Sequence, residues 1–115
     1  RGRDGLDARG HGGSDFGDLM SDIKELCDED RLLCVHFRNV SAQLPVFEEV
    51  LAEDGYADMY AIMKQLVACD CNAVISIDHG FQPMEGFGGM PGSFCYPTGF
   101  MKGLLWAAEK ELGKR

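Results

Sequence analysis

The segment LLCVHF, residues 32–37, is short, continuous and apolar, and the segment AVISI, residues 73–77, has the same character. A strand that is covered on both faces of a parallel sheet has this composition, because neither of its faces meets water. Each segment ends in polar residues, and a helical pattern lies between the two. The sequence therefore predicts two buried parallel strands joined by a helical crossover.

Three further stretches carry apolar residues at helical spacing. The first begins at Asp15, and the second follows Asp58, whose carboxylate suits a helix N-cap. With the two strands they give the order helix, strand, helix, strand, helix, which is typical of an α/β protein. The apolar positions are Phe16, Leu19, Met20, Ile23 and Leu26; Met59, Ile62, Met63, Leu66 and Val67; and Phe100, Met101, Leu104, Leu105 and Ala108.

Two glycine-rich segments lack this periodicity. Residues 1–14 hold five glycines among mixed charges, so we expect a loop or disordered lead-in there and a folded segment over 15–115. The stretch from Phe81 to Tyr96 combines glycines with two prolines. It is too long for a simple turn, so it is predicted to be a long loop that acts as a lid over a site.

Composition narrows the function classes for the 115 residues. The formal net charge of −8 disfavours nucleic acid as a partner, because the phosphate backbone would be repelled. No apolar run approaches the roughly 20 residues that span a bilayer, so a membrane role is not expected. Five cysteines, an odd number, fit reduced thiols and a cytoplasmic location. Cys69 and Cys71 lack the spacing of a zinc knuckle, so structural roles are favoured for them.

Two strands cannot by themselves form a sheet that covers three helices. Strands buried on both faces need neighbours on both edges, so the pattern implies more sheet than this chain supplies. We expect either a piece of a larger α/β domain or an assembly that completes the sheet in trans. The missing part would come from a homo-oligomer or from the N-terminal half of a larger domain.

Polar residues stand at the end of both predicted strands. His36, Arg38 and Asn39 belong to the first strand end, and Asp78 and His79 to the second. The carboxyl ends of parallel strands meet at one edge of a sheet, where active sites form. An imidazole and a carboxylate there are a partial ligand set for manganese, iron or zinc. The alternative is that His36 is a core residue and that Asp78 and His79 only cap a turn.

Several segments together resemble the C-terminal part of mannonate dehydratase. They are CVHFRNV (34–40), DMYAIMKQL (58–66), ISIDHG (75–80), MPG (90–92) and GFMKGLL (99–105). The resemblance extends from about Asp15 to the end of the sequence. It implies the C-terminal portion of a (β/α)₈ TIM-type barrel, with about three β/α units and parallel strands.

The resemblance also implies a reaction and a metal. Members of the family are lyases of glucuronate catabolism that use Mn²⁺ or Fe²⁺ to dehydrate D-mannonate to 2-dehydro-3-deoxy-D-gluconate. By motif, His36 and Asp78 would be metal ligands and His79 the catalytic acid/base. Arg38 and Asn39 are assigned to the sugar-acid substrate, Arg38 because its charge suits an anionic group.

Some positions depart from the family pattern. A further histidine and a cysteine ligand are expected from earlier strands, and residues 1–14 contain no cysteine. The lid tyrosine is replaced by Ser93, with Tyr96 three residues on, and a Phe-His-Glu stretch reads Phe47-Glu48-Glu49. We therefore expect a segment that is incomplete alone. Two alternatives stay open: a non-catalytic binding or assembly module, and another metal-dependent barrel of the sugar isomerase type.

Overall fold

Three α-helices and four short strands form the part of the chain that the computed structural model describes, residues 16–78 and 89–115. The lead-in predicted for 1–14 and the catalytic residue predicted at His79 lie outside it. In chain order the elements are α1 (Phe16–Asp28), β1 (Cys34–His36), β2 (Asn39–Val40), β3 (Glu49–Val50), a 3₁₀ turn (Ala52–Asp54), α2 (Met59–Ala68), β4 (Val74–Ser76) and α3 (Gly89–Glu111).

The two predicted strands pair with each other in parallel. Val35 of β1 lies opposite Ile75 of β4, and the Phe37 amide donates to the Ser76 carbonyl oxygen at 2.7 Å, which continues the ladder. Helix α2 lies in the connection between these strands. The prediction of an α/β chain with parallel strands is confirmed. The described residues hold α1 followed by two β/α units.

Burial of the strands on both faces was a wrong expectation. Cys34 and His36 are exposed, and Val74 keeps 68% of its surface open to solvent. An apolar strand needs a covering layer on each side, and here the helices cover one side only. The apolar character of residues 32–37 and 73–77 is therefore more than the described part of the chain can bury.

A second pair of strands was not predicted. Strand β2 runs antiparallel to β3, with Val40 opposite Glu49. Each strand has two residues, which is too short to show the alternation that marks a strand in a sequence. This small hairpin occupies the connection between β1 and α2 and carries Glu49 toward the end of β1.

The helices pack around one apolar core. Met63 of α2 is 1% exposed, Ile23 of α1 is 4% exposed, and Ala108 of α3 is buried completely. As predicted, Asp58 caps α2, because its Oδ1 accepts a hydrogen bond from the Ala61 amide at 3.0 Å. The core cluster consists of Ile23, Phe37, Met59, Met63, Leu66 and Ala108.

Helix α3 begins earlier than the sequence indicated. Residues 89–96 are helical, so the loop prediction for this part of Phe81–Tyr96 was wrong, while 81–88 lie outside the described residues. Pro91 is tolerated because it lies in the first turn, where backbone N–H groups have no helical acceptor. Pro97 lies inside the same helix. In the described ranges, no helix is both long and apolar enough to cross a membrane.

Candidate active site

His36 and Asp78, the two predicted metal ligands, lie next to each other. The Nδ1 atom of His36 is 3.2 Å from Oδ1 of Asp78, with the two side chains 58% and 34% exposed. His36 ends β1, and Asp78 follows β4 by two residues. The parallel pairing of these strands therefore brings an imidazole and a carboxylate to one edge of the sheet, in reach of solvent.

The backbone at Asp78 has an uncommon conformation. Its φ angle is +79°, in the left-handed region that residues with a side chain seldom adopt. Ile77, the preceding residue, is 8% exposed. The chain thus turns sharply between a buried side chain and a solvent-facing carboxylate, and such positions are frequent at functional sites.

Arg38 lies beside this turn but is largely enclosed. Its side chain is 11% exposed, and Nη1 lies 2.6 Å from Oε1 of Glu49. Nη2 donates a 3.0 Å hydrogen bond to the carbonyl oxygen of Ile77. The guanidinium predicted to meet a substrate anion is therefore paired with a carboxylate of this chain and bound to the end of β4.

Asn39, which was predicted to bind the substrate, is buried and bound to the backbone of this chain. Its side chain is 1% exposed, and Nδ2 donates to the carbonyl oxygens of Ala52 and Ala57 at 2.9 and 3.0 Å. Its Oδ1 accepts from the amides of Val40 and Ala57. Both N–H groups and both acceptor positions are thus used by the backbone. In this fold Asn39 holds the connection between β2 and α2, and its contact with a substrate stays a prediction.

The two residues considered for the family's lid tyrosine have different surroundings. Ser93 is completely buried in the first turns of α3. The hydroxyl of Tyr96 donates a hydrogen bond to Glu53, and this bond raises the pKa of Tyr96.

The five cysteines are free thiols, as predicted. Burial, followed by the interactions with Cys71 and Cys69, raises the pKa of Cys27 to about 12. The Sγ atom of Cys71 accepts from the Ala73 amide at 3.4 Å. These three thiols pack against one another where the ends of α1 and α2 meet. Their role is packing, which agrees with the structural assignment of Cys69 and Cys71.

A divalent metal can be tested against the donor atoms of the site. Two ligands in adjacent positions around a metal, each about 2.1 Å from it, are separated by about 3 Å. The 3.2 Å between Nδ1 of His36 and Oδ1 of Asp78 fits that separation. Over residues 16–78 and 89–115, however, no group of three His, Cys, Asp or Glu side chains is arranged to hold a metal. The pair therefore fits two positions of a metal site.

Comparison with known proteins decides the family. Residues 9–110 match the family of D-mannonate dehydratase (UxuA), which covers most of the chain. The chain belongs to the D-mannonate dehydratase family. The resemblance seen in the segments around His36 and Asp78 is thereby confirmed. No curated protein sequence matches it significantly.

A solved structure of a D-mannonate dehydratase supports the assignment. The mannonate dehydratase from Streptococcus suis serotype 2 is 26% identical in sequence and superimposes with a TM-score of 0.67. The match covers 84% of this chain and 30% of the Streptococcus suis chain. This D-mannonate dehydratase family member thus spans less than a third of that structure's length.

Sequence reasoning missed the role of Glu49. In the sequence, the stretch Phe47-Glu48-Glu49 indicates only a departure from the family pattern, while the structure places Glu49 against Arg38. The two residues are eleven positions apart and meet because the β2–β3 hairpin folds back. An isolated Arg and Glu give no signal of this contact, since neither lies on a common helix face or in a periodic strand.

Proposed function

We propose that this chain forms part of the active site of a D-mannonate dehydratase, at the strand ends that carry His36 and Asp78. The observation that supports it most is the 3.2 Å approach of His36 Nδ1 to Asp78 Oδ1. In a family of this name, an imidazole and a carboxylate at the carboxyl edge of parallel strands are suited to a divalent metal. The wider fold in this proposal is a (β/α)₈ barrel, of which the chain supplies a portion.

The proposed reaction removes water from D-mannonate and gives 2-dehydro-3-deoxy-D-gluconate. A Mn²⁺ or Fe²⁺ ion would stabilise the negative charge that develops beside the substrate carboxylate. His36 and Asp78 would hold that ion, and the sugar acid would bind near it. His79, next to Asp78 in the sequence, would transfer the proton, because imidazole titrates close to neutral pH.

A chimera provides a test of this function. In the Streptococcus suis mannonate dehydratase, the matching 30% of the chain is replaced by this chain, and formation of the 2-keto acid from D-mannonate is followed with Mn²⁺. We expect turnover, and we expect His36→Ala and Asp78→Ala to lower kcat at least about 100-fold, as loss of a metal ligand should.

The matched control is Arg31→Gln, which removes an exposed charge paired with Glu29 and leaves the strand ends intact. It should retain the activity of the chimera. A folded chimera that binds Mn²⁺ and yet forms no product would contradict the proposed reaction. Unchanged turnover in His36→Ala would contradict the ligand assignment.

A non-catalytic binding or assembly module is the second candidate. Two observations favour it. The described residues hold no group of three His, Cys, Asp or Glu side chains arranged for a metal, and Leu33, directly before β1, is 73% exposed. Such a module would bind its partner equally well after His36→Ala and Asp78→Ala. The same chimera variants therefore separate the two candidates. In either case the free thiols suit a cytoplasmic location.

A further inference from the structure

Arg38 connects the two small sheets at the strand ends. It follows β1, pairs with Glu49 of β3 at 2.6 Å, and donates to the carbonyl oxygen at the end of β4 at 3.0 Å. Its side chain is 11% exposed, whereas that of Glu49 is 42% exposed. The guanidinium is thus enclosed, while its carboxylate partner faces solvent.

The carbonyl that Arg38 binds belongs to Ile77, directly before Asp78. The peptide between Ile77 and Asp78 contains this carbonyl, so a hydrogen bond to it limits rotation of the peptide plane. Asp78 has a positive φ angle of +79°, which a side chain disfavours unless surrounding contacts hold it. A charged donor gives a stronger bond than a neutral one and so is suited to that purpose.

Glu49 gives the guanidinium a fixed orientation. An arginine fork can bond two acceptors in one plane, and here one branch takes a carboxylate and the other a backbone carbonyl. Lysine would carry the charge but not the planar fork. The β2–β3 hairpin, which delivers Glu49, is therefore coupled through Arg38 to the end of β4.

We propose that Arg38 is a positioning residue that holds the left-handed turn at Asp78, and that Glu49 orients Arg38 for this role. The inference rests on the proposed function, since the direction of the Asp78 carboxylate matters when that carboxylate and His36 bind a metal. It replaces direct contact with the substrate as the role of Arg38. Removal of a residue that orients a metal ligand in this way commonly lowers metal affinity by about 10- to 100-fold.

The experiment compares the chain with Arg38→Gln, Arg38→Lys and Glu49→Gln. The first readout is the one-bond Cα–Hα coupling of Asp78 by NMR without metal, which distinguishes positive from negative φ. The second is Mn²⁺ titration, followed by paramagnetic broadening of the His36 ring signals. Lys24→Gln is the matched control, because Lys24 forms an exposed ion pair with Asp28 on α1, away from the strand ends.

We expect Arg38→Gln to shift the Asp78 coupling toward the negative-φ value and to weaken Mn²⁺ binding about tenfold. Arg38→Lys should change the Asp78 coupling and the Mn²⁺ affinity less than Arg38→Gln does. Glu49→Gln should also give a smaller change in the same direction, and Lys24→Gln should leave the coupling and the affinity unchanged. Circular dichroism shows whether each variant is folded. If Arg38→Gln does not fold, Arg38→Lys and Glu49→Gln still decide the proposal.

An Asp78 coupling unchanged in every folded Arg38 and Glu49 variant would overturn the positioning role. A shifted coupling together with unchanged Mn²⁺ affinity would also overturn it, because Arg38 would then be structural only. If the unsubstituted chain shows no Mn²⁺ broadening at all, the metal part of the proposed function fails, whereas the coupling still decides whether Arg38 holds the turn.

Discussion

At the residue scale, Asn39, the first residue of β2, binds the segment that leads into α2. We expect Asn39→Ala to lower the free energy of unfolding by about 3 kcal/mol, because partly buried carbonyl and amide groups of Ala52 and Ala57 lose their partners. Urea denaturation measures the loss. A change below about 0.5 kcal/mol would contradict the structural role.

Two glycines provide the comparison for that measurement. A Cβ on Gly55 would lie 2.1 Å from Cγ of Asn39, so Gly55→Ala should destabilise the chain by displacing the same side chain. A Cβ on Gly99 meets nothing within 4 Å inside α3. Gly99→Ala should therefore raise the free energy of unfolding by about 0.5–1 kcal/mol, through helix propensity.

The thiols make a second residue-scale prediction. Cys34 and Cys95 are exposed, whereas burial raises the pKa of Cys27 to about 12. Only the thiolate reacts with iodoacetamide, and at pH 8 a thiol with that pKa is about one part in ten thousand thiolate. Timed alkylation with peptide mass spectrometry should show Cys34 and Cys95 modified long before Cys27. Equal rates in the folded chain would contradict the raised pKa of Cys27.

At the element scale, one polar cluster ties α2 to the end of α3. The Tyr60 hydroxyl and the Lys64 ammonium both donate to the Glu111 carboxylate. The bond from Tyr60, followed by that from Lys64, lowers the pKa of Glu111. The same Tyr60–Glu111 bond is the main cause that raises the pKa of Tyr60. The folded state thus favours the ionised form of Glu111. The stabilisation is present above the pKa of Glu111 in the unfolded chain, and it is lost as the pH falls through the lower pKa of Glu111 in the folded chain.

Glu111→Gln should therefore weaken the fall in stability between neutral and acidic pH. The amide retains an acceptor for Tyr60 but has no charge to titrate. Thermal unfolding at a series of pH values measures how stability changes with pH. The control is Glu29→Gln, which also removes one exposed carboxylate but lies after α1, outside this cluster. A pH slope in Glu111→Gln equal to that of the unsubstituted chain would show that the cluster does not link folding to protonation.

Elements differed in how well the sequence predicted them. Helix α2 was predicted because Asp58 caps it and its apolar residues recur at helical spacing. The start of α3 was missed because Pro91 and the glycines around it are typical of loops, although proline is acceptable in a first turn. The β2–β3 hairpin was missed because a two-residue strand has no period.

The same distinction applies to the candidate site. His36 and Asp78 could be predicted to meet, because parallel strands place their carboxyl ends together. The enclosure of Arg38 and the burial of Asn39 could not, since the first depends on Glu49 of the hairpin and the second on Ala52 of the 3₁₀ turn that follows it. Residue type and strand position thus indicate a site, while tertiary contacts decide which polar residues remain open to a ligand.

At the scale of the whole molecule, the parallel sheet is only partly covered, and the candidate metal site at its edge is incomplete. Leu33, directly before β1, and Val74 of β4 are 73% and 68% exposed. The described residues bring together the two proposed metal ligands, His36 and Asp78, but hold no group of three His, Cys, Asp or Glu side chains arranged for a metal. The match to the Streptococcus suis structure accounts for 30% of that chain. A divalent metal held by two donors keeps most of its water, so its affinity is low and its position is poorly fixed.

We therefore expect the 115-residue chain by itself, with Mn²⁺ or Fe²⁺, to bind metal weakly and to form no 2-dehydro-3-deoxy-D-gluconate from D-mannonate. Mass spectrometry of the reaction mixture detects the product, and the complete Streptococcus suis enzyme is the positive control. Addition of the remainder of that enzyme as a separate chain should raise metal affinity and produce turnover that His36→Ala abolishes. Robust turnover by the chain alone would contradict this prediction, because two donors would then suffice to hold and use the metal.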